Sequence, residues 1–270
     1  MLAIDRQNAI KEILMKQESI TVAELGRAFH VSDETIRRDL DKIGKTEKSI
    51  VRVHGGAYMV KTFDREAPFT VRQSLLVEEK GRIAARAFSM IEDGDMLMLD
   101  CSTTTLHLAC LLKEATDKKF VVITNALDVV QELSDCEHIK VICVGGGLRK
   151  ASHSFIGYGA TNSLREYRAN KAFLSCSGIH ERFGITDNSE EEAQVRRSML
   201  KNSVKRCLLV DSEKFGRITS NRIAEFADVD SIITDTVPDK GWRSLFIKEE
   251  IKLYVCPGEG EENSRIWRNQ

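Results

Sequence analysis

The sequence lacks any apolar segment close to the roughly 20 residues that a helix needs to cross a bilayer. Its longest apolar runs, such as Met96–Leu99, have the length of a β-strand. Charged Asp5 and Arg6 follow closely after the first residue, which is unlike the apolar stretch of a secretory leader. We therefore expect a protein of the cytoplasm.

Paired cysteines are also missing. The seven cysteines are an odd number, and none forms a Cys-x-x-Cys pair. Most lie in apolar runs, so we interpret them as reduced, mostly buried thiols. Cys101 and Cys176 follow predicted strands and are open to a catalytic role, although core packing is favoured. No cluster with metal-ligand spacing surrounds His180, and we predict neither a metal site nor a cofactor.

An excess of charge of one sign is absent as well. The net charge is −1, from 40 basic and 41 acidic residues among 270, and the first 60 residues carry ten basic and nine acidic ones. Any contact with DNA must therefore depend on where individual charges point. The hydrophobic content of 42% is sufficient for a buried core.

The N-terminal part has the pattern of three short helices. Apolar residues recur at helical spacing over 4–15. Thr21, with a glutamate three residues later, forms a capping box for a second helix over 22–29. After a brief turn, Ser32 caps a third helix over 33–43. This arrangement predicts a helix-turn-helix.

Two alternating stretches, 50–53 and 57–60, follow the third helix and flank a Gly-Gly pair. A Gly-Gly pair suits a tight hairpin turn, so the stretches predict a wing. Residues 1–60 are thus predicted to be a winged helix-turn-helix domain. Residues 61–75 contain a proline, several charges and no clean period, and are predicted to be a linker.

The third helix presents charge opposite its apolar stripe. Arg38 lies opposite Ile36, Leu40 and Ile43, and Thr35 lies on a shoulder. Thr35 and Arg38 are the candidates for base contacts, because the first half of such a helix reaches base edges. The alternative is that these charged residues only form the solvated surface of a small domain. The other predicted DNA contacts, mainly to phosphates, are Thr21, Ser32, Arg37, Lys42, Lys45, Lys48 and Arg52.

Beyond the linker, apolar strand-like runs alternate with helical segments. Nearly continuous apolar strands with helices between them are typical of a parallel sheet covered on both faces. We predict an α/β domain over 76–258 and a tail over 259–270. The predicted strands are 96–100, 120–124, 139–144, 171–176, 206–210, 231–235 and 251–256.

The first of these strands ends at Asp100 and leads through a run of hydroxyl residues into a helix over 106–112. Hydroxyls and free N–H groups at a helix N-terminus favour a bound phosphate. Ligands of open α/β sheets also bind at this end of the strands. Plain helix capping is the alternative. The four hydroxyl residues are Ser102, Thr103, Thr104 and Thr105.

Loops after other strands add candidates at the same sheet edge. Asn125 follows the second strand, and Gly145 and Gly146, which let a ligand approach the backbone, follow the third. Arg149 and Lys214 can bring positive charge to an anion. A surface turn explains each of them alone, and their convergence on one edge favours a binding site.

The N-terminal motifs strongly resemble the DNA-binding domain of the DeoR-type repressors, over about residues 3–60. The motifs are Ile20-Thr-Val-Ala-Glu-Leu, Val31-Ser-Asp-Glu-Thr-Ile-Arg-Arg-Asp-Leu and Arg52-Val-His-Gly-Gly-Ala. The resemblance implies binding to double-stranded operator DNA.

The second domain resembles the sensor domain of the same family, which is similar in fold to ribose-5-phosphate isomerase. The resemblance implies that Ser102–Thr105 hold a sugar phosphate with Lys80 and Lys214 as cationic partners, and we include Glu190 in the site. Lys171 begins its strand, at the far edge of the sheet, and is left out. The matching stretches are Glu79-Lys80, Asp100-Cys-Ser-Thr-Thr-Thr105, Thr124-Asn125, Gly145-Gly146, Lys171-Ala-Phe-Leu, Gly184-Ile-Thr, Glu190-Glu-Glu-Ala and Asp211-Ser-Glu-Lys-Phe-Gly.

Two departures from the family pattern affect the site. Ser102 stands where the family usually has glycine. The family's Gly-Ala-Asp-Gly-Ile-Asp run appears as Ser175-Cys-Ser-Gly-Ile-His180, without either acid. If those acids contact sugar hydroxyls, Ser177 and His180 select a different hydroxyl pattern or a different sugar.

The sequence therefore predicts a transcriptional regulator of carbohydrate metabolism, expected to be a repressor and to act as a homodimer or homotetramer, with a sugar phosphate as effector. The alternative is a sugar-phosphate isomerase with a DNA-binding appendage. Isomerisation needs a carboxylate base, which Glu190, Glu191 or Glu192 could supply. The acids replaced by Ser177 and His180 make the enzyme the less favoured interpretation.

Overall fold

The structure is a computed structural model that describes residues 1–17, 19–47, 49–53, 55–59, 67–258 and 266–267. The chain divides into two compact units, Met1–Leu75 and Leu76–Gln270. Each unit has its own core of buried apolar side chains. Within the described ranges, no helix is long and apolar enough to cross a membrane.

The first unit confirms the predicted winged helix-turn-helix. Its three strands form an antiparallel sheet in the order β1-β3-β2. Strand β1 was not predicted, because three residues are too few to show an alternating pattern. The elements are α1 (Ala3–Gln17), β1 (Ser19–Thr21), α2 (Val22–Phe29), α3 (Asp33–Thr46), β2 (Ile50–Val53), β3 (Gly56–Met59) and α4 (Phe69–Ser74).

Both predicted helix caps are present. The Thr21 hydroxyl accepts the Glu24 N–H at 3.1 Å, and the Glu24 carboxylate accepts the Thr21 N–H at 2.9 Å. The Ser32 hydroxyl accepts the Thr35 N–H at 3.3 Å. His30, with a left-handed φ of 53°, turns the chain between α2 and α3. These local bonds explain why α2 begins and ends at the predicted residues.

The two wing glycines have different roles, which corrects the prediction that both form the turn. Gly55 is in the turn with a φ of +88°. Gly56 is the first residue of β3, and a Cβ there would lie 2.3 Å from the carbonyl oxygen of Ile20. Its missing side chain therefore allows β1 to pair with β3, and the wing becomes a three-stranded sheet.

Helix α4 corrects the C-terminal half of the predicted linker. It packs against β2, and its Phe69 and Val71 side chains are buried. The Arg72 guanidinium lies 5.5 Å from the ring centroid of Phe69. A six-residue helix is too short to show a clean period. Residues 61–66 of the predicted linker lie outside the described residues.

The second unit is built on an eight-stranded sheet with smaller antiparallel sheets beside it. Its helices and strands are α5 (Val77–Phe88), β4 (Met96–Leu99), α6 (Thr103–Glu114), β5 (Phe120–Thr124), α7 (Leu127–Leu133), β6 (Ile139–Cys143), β7 (Gly147–Arg149), β8 (Ser154–Ile156), α8 (Tyr158–Leu164), β9 (Ala169–Leu174), β10 (Gly178–His180), β11 (Gly184–Asp187), α9 (Glu190–Lys201), β12 (Ser203–Leu209), β13 (Asn221–Ala224), β14 (Ser231–Thr234), α10 (Lys240–Lys248), β15 (Lys252–Val255) and β16 (Ile266–Trp267). Short 3-10 helices cover Ser212–Lys214 and Phe226–Asp228.

The main sheet has the order β16-β15-β14-β12-β9-β4-β5-β6. All seven predicted strands are confirmed, and they pair in parallel, whereas β16 pairs antiparallel with β15. From the centre, β4, β5 and β6 run to one side and β9, β12, β14 and β15 to the other. The order reverses between β4 and β9, and such a reversal opens a crevice at the carboxyl ends of the strands.

A buried ion pair joins α3, the third helix of the helix-turn-helix, to α1. The Asp39 carboxylate accepts the Arg6 Nε–H at 2.6 Å and the Gln7 amide at 2.8 Å, and both charged groups are buried. Removing one partner of a buried pair leaves an uncompensated charge, which costs about 3–5 kcal/mol. The N-terminal unit therefore depends on Asp39 for its stability.

We expect Asp39→Ala to lower the free energy of unfolding of the N-terminal unit by about 3–5 kcal/mol. The measurement is urea denaturation followed by circular dichroism. Asp41→Ala is the control, because Asp41 pairs with Arg52 at the surface and should cost less than about 1 kcal/mol. Equal small losses in both variants would contradict this role of Asp39.

Candidate functional site

The recognition helix α3 turns its basic residues outward, as predicted. The Arg38 side chain is 76% exposed, and its Nε lies 3.2 Å from a Glu34 carboxylate oxygen. Arg37 and Lys42 are also exposed, whereas Thr35 is half-buried and bonded to the cap residue Ser32. Arg38 is therefore the more accessible of the two predicted base-reading residues.

The remaining predicted DNA contacts lie around the same helix. Arg52 on the wing pairs with Asp41 of α3 at 2.5 Å, and Lys45 is exposed in the last turn of α3. The Thr21 and Ser32 hydroxyls are bonded within their caps. Lys48 lies outside the described residues. The ion pair joins the wing to the recognition helix and fixes the position of Arg52.

In the second unit, the hydroxyl run lies at the start of α6. The helix begins at Thr103, three residues earlier than predicted, because the Ser102 hydroxyl caps it by accepting the Thr105 N–H at 3.1 Å. The Thr105 hydroxyl lies 2.8 Å from the carbonyl oxygens of Asp100 and Ser102. Capping and turn bonds thus account for two of the four hydroxyls.

The other two hydroxyl residues supply the free donors of the helix start. Thr103 and Thr104 are buried, and their backbone N–H groups have no acceptor among the residues that the structure describes. The first N–H groups of a helix lack partners within the helix and carry part of its positive dipole end. These two N–H groups are suited to an anion.

Asp100 holds this loop in place through hydrogen bonds. Its side chain is fully buried, and one carboxylate oxygen accepts the Ser102 N–H at 3.1 Å. The other oxygen accepts the Ser175 N–H at 3.0 Å and the Arg196 Nε–H at 2.7 Å. We predicted that Asp100 contacts the effector; in the structure its observed contacts are internal and join the ends of β4 and β9.

Arg196 is the residue that sequence analysis missed. Besides Asp100, it donates to Asp187 at 2.7 Å and to Glu192 at 3.2 Å. Burial lowers the pKa of Arg196, but the carboxylates raise it well above its ordinary value. Burial also raises the pKa of Asp187, and Arg196 opposes that shift. The sequence did contain a signal for this role. Arg196 lies three residues from both Ala193 and Met199, on the apolar face of α9.

The glutamates in the first turn of α9 differ in burial. Glu190 is exposed and pairs with Arg197 at 2.8 Å. Hydrogen bonding from Gln194, followed by the charge of Arg197, lowers its pKa. The buried glutamate is Glu192, which pairs with Arg149 at 3.3 Å. The acid that joins the buried cluster is therefore two residues beyond the one we predicted.

Asn125 and the glycine loop also lie at the carboxyl edge of the sheet. The Asn125 amide donates to the Phe155 carbonyl at 3.1 Å, and its buried Oδ1 has no hydrogen-bond partner among the described residues. Nothing lies within 4 Å of a Cβ built on Gly145. A Cβ on Gly146 would lie 2.5 Å from the Ile156 carbonyl oxygen. Gly146 thus serves the close approach to β8, and Gly145 leaves open space.

The loops after β9 and β12 bring charged groups around Cys176. Burial raises the pKa of the Cys176 thiol to about 12, while the charge of Lys214 opposes this shift. Asp187 and Arg196 also act on this thiol. Lys214 is half-buried, and its charge acts on the same thiol as the charge of Arg196.

The remaining predicted effector residues are Ser177, His180 and Lys80. The Ser177 N–H donates to the Thr186 carbonyl at 3.0 Å. The His180 Nδ1 accepts the Arg182 N–H at 3.2 Å, which leaves Nε2 as the donor of a neutral ring. Lys80 is buried on α5, and its charge adds to burial in lowering the pKa of His107 on α6.

A cavity of about 370 Å³ lies beside the Lys214 segment rather than at the hydroxyl run. Its lining includes Ser212 and Phe215 next to Lys214, with Thr236 and Trp242 opposite. No group of three His, Cys, Asp or Glu that could hold a metal occurs among the described residues. What the carboxyl edge offers is N–H donors and cations, which are suited to an anion.

The fold and these sites define a protein with a winged helix-turn-helix unit and an α/β unit whose sheet edge offers N–H donors suited to an anion. Residues 6–63 match the DeoR-like helix-turn-helix domain, and residues 76–236 match the DeoR C terminal sensor domain. The chain belongs to the DeoR family of transcriptional regulators.

Relatives match over nearly their whole length. The uncharacterized HTH-type transcriptional regulator YulB of Bacillus subtilis is 38% identical, over 95% of this chain and 98% of its own. The HTH-type transcriptional repressor GlcR of the same species is 32% identical, over 93% and 95%. The glycerol-3-phosphate regulon repressor of Escherichia coli is 30% identical, over 95% and 100%. Among solved structures, ribose 5-phosphate isomerase A of Methanocaldococcus jannaschii aligns with 50% of this chain and 53% of its own, at 16% identity and a TM-score of 0.38.

Thiol reactivity tests whether Cys176 is buried in the native protein. At pH 8 a thiol with a pKa of about 12 is ionised in roughly one molecule in ten thousand, so Cys176 should resist iodoacetamide in the native protein. Exposed Cys143 should be alkylated and serves as the internal control. Peptide mass spectrometry before and after denaturation is the measurement. Alkylation of native Cys176 at the rate of Cys143 would contradict the burial and would favour a reactive thiol.

Proposed function

We propose that this protein is a sequence-specific DNA-binding regulator of carbohydrate metabolism genes, a repressor whose operator affinity is controlled by a phosphorylated sugar. The observation that carries the proposal is the pair of free N–H groups of Thr103 and Thr104 at the point where strand order reverses. Relatives named as repressors of the glycerol-3-phosphate regulon and of the lactose phosphotransferase system support the class of effector.

For DNA, the proposal assigns base contact to Arg38 and phosphate contacts to the exposed residues around it. A long, accessible guanidinium in the first half of a recognition helix suits bidentate binding to guanine. Thr35 adds a shorter contact beside it. A homodimer or homotetramer would place two such helices on half-sites about one helical turn, or a multiple of it, apart.

For the effector, the proposal places the phosphate on the Thr103 and Thr104 N–H groups. Such a dianion gains hydrogen bonds and the positive end of the α6 dipole. Lys214 supplies a positive charge on the β12 side, and Lys80 supplies one from α5. The free Asn125 Oδ1 is suited to a sugar hydroxyl, because a buried acceptor is costly without a donor.

The proposal assigns no catalysis to this site. An isomerase needs a carboxylate that is available to move a proton. Glu190 is exposed and paired with Arg197, and Glu192 is bonded to Arg196 and Arg149. These partners support binding and positioning roles for Glu190 and Glu192 rather than proton transfer, and Glu191, the third candidate base, is exposed.

Arg38→Ala should reduce specific operator affinity by about 1–3 kcal/mol, because a base contact is lost. Arg37→Ala is the matched control: it should weaken binding to all sequences alike and flatten the salt dependence. Gel-shift competition with scrambled DNA at several salt concentrations measures both effects. Full operator preference in Arg38→Ala would remove Arg38 from base recognition.

A thermal-shift screen of sugar phosphates identifies the effector by stabilisation. With that compound, Lys214→Ala should weaken effector binding by about 1.5–3 kcal/mol, since a charge-assisted bond is lost, and leave operator affinity without effector unchanged. Lys248→Ala, an exposed lysine on α10, is the control. The measurement is operator affinity across an effector titration.

Coupling between the two ligands must be reciprocal, so operator DNA should change effector affinity by the same factor as the effector changes DNA affinity. Superimposable titrations for Lys214→Ala and wild type would remove Lys214 from the site. An operator affinity that no bound sugar phosphate changes would overturn effector control itself.

A further inference from the structure

A second cavity, of about 440 Å³, lies at the amino-terminal end of the main sheet, opposite the carboxyl edge. Its lining residues are Met90, Lys171, Phe173, Val204, Lys205, Cys207, Asp230, Ser231, Lys252 and Tyr254. Its volume falls in the range of small-molecule sites, roughly 300–1,000 Å³. The DNA-binding and effector functions use none of these residues.

The strand register places most of this lining on one face of the sheet. Lys205 pairs with Lys171, and Cys207 pairs with both Phe173 and Ser231. Ser231 in turn pairs with Lys252, so the row continues across four strands. Alternate residues of a strand share a face. Helix α5 packs on β12 and β14 but ends at Phe88, which leaves this part of the face open.

The charges in the cavity leave an excess of two ammonium groups. Lys171 forms a buried ion pair with Asp95. The Asp230 carboxylate accepts two hydrogen bonds from the Arg206 guanidinium, at 2.8 and 3.0 Å. It accepts a third from the backbone N–H of Arg206, at 2.7 Å. Within the described ranges, Lys205 and Lys252 form no ion pair with a carboxylate.

Lys205 and Lys252 are close enough to act on one anion. They lie two strand spacings apart and two residues apart along the strands, which puts their Cα atoms roughly 12 Å from each other. Each lysine carries its ammonium group on a flexible four-carbon stem. Their ammonium groups can therefore meet the same anion above Ser231.

The rest of the lining is suited to an apolar body. Met90 and Tyr254 border the cavity. The Arg86 guanidinium lies 4.4 Å from the ring centroid of Tyr254 and holds that ring in place. A parallel sheet normally has both faces covered, so an apolar group that covers this one removes exposed surface from water.

We propose that this cavity is a second ligand site, which binds a small molecule with a dianionic group and an apolar or aromatic body. The dianion lies between Lys205 and Lys252, and the body covers Met90 and Tyr254. The site is separate from the proposed sugar-phosphate site, because none of its lining residues lies in the loops at the carboxyl edge of the sheet. Its occupant can therefore bind together with the effector.

The test uses phenyl phosphate, which carries a phosphate dianion on an aromatic ring. Isothermal titration calorimetry on the full-length protein compares wild type with Lys205→Gln, Lys252→Gln and the double variant. We expect each single variant to weaken binding at least tenfold and the double variant to abolish it. Lys140→Gln is the matched control, because Lys140 is an exposed lysine on β6 of the same sheet and should leave binding unchanged.

Lys214→Ala separates the two sites. Phenyl phosphate that binds at the effector loop would be weakened by Lys214→Ala and not by Lys205→Gln or Lys252→Gln, and that result would overturn the proposal while leaving the proposed function intact. Absence of binding to wild type at millimolar phenyl phosphate would also overturn it. Circular dichroism verifies that the variants fold.

A second copy of the chain is the competing occupant of this face. Sedimentation velocity of wild type and the double variant Lys205→Glu, Lys252→Glu decides between them. Self-association that the double variant abolishes and that phenyl phosphate does not change would overturn the small-molecule site. An unchanged oligomeric state together with lost phenyl phosphate binding would support it.

Discussion

The loop that leads from β4 into α6 depends on the buried carboxylate of Asp100. This one side chain accepts N–H groups from the loop after β4 and from the end of β9, the two strands between which strand order reverses. Arg196 from α9 compensates its charge, and Asp187 and Glu192 share the same guanidinium. A buried charge without partners would cost several kcal/mol, so these elements are held in one arrangement, in which the first N–H groups of α6 have no acceptor among the described residues.

Both units use the same helix-start device in different surroundings. Ser32 caps α3 and Ser102 caps α6, and in each case the serine hydroxyl lies 3.0 Å from a threonine hydroxyl three residues later. The start of α3 is exposed and lies beside Arg38, where it can meet a DNA backbone. The start of α6 is buried at the carboxyl edge of the main sheet. The local motif is therefore shared, and the tertiary surroundings decide whether it is exposed or buried.

The strongest local patterns predicted the fold well. Helix α2 and strand β2 were predicted at their observed residues, and all seven parallel strands were found, because hydrophobic periodicity and capping are properties of neighbouring residues. Some short elements without an alternating or helical period escaped this method. Strand β1 and helix α4 are examples, since neither is long enough to show a period. Strand β1 exists because Gly56 lets another chain segment approach, which no local pattern shows.

The candidate-site residues also divide into those that local sequence patterns predict and those that only tertiary contacts reveal. The sequence by itself determined the two-unit organisation, the outward position of Arg38 and the hydroxyl run at the start of a helix, because each depends on spacing along one element. Only the tertiary structure decided that Asp100 is bonded internally, that Glu192 rather than Glu190 is buried, and that Lys205 and Lys252 share a cavity. Asp100 and Arg196 are 96 positions apart, and a contact over that distance depends on strand order and register, which local periodicity does not encode.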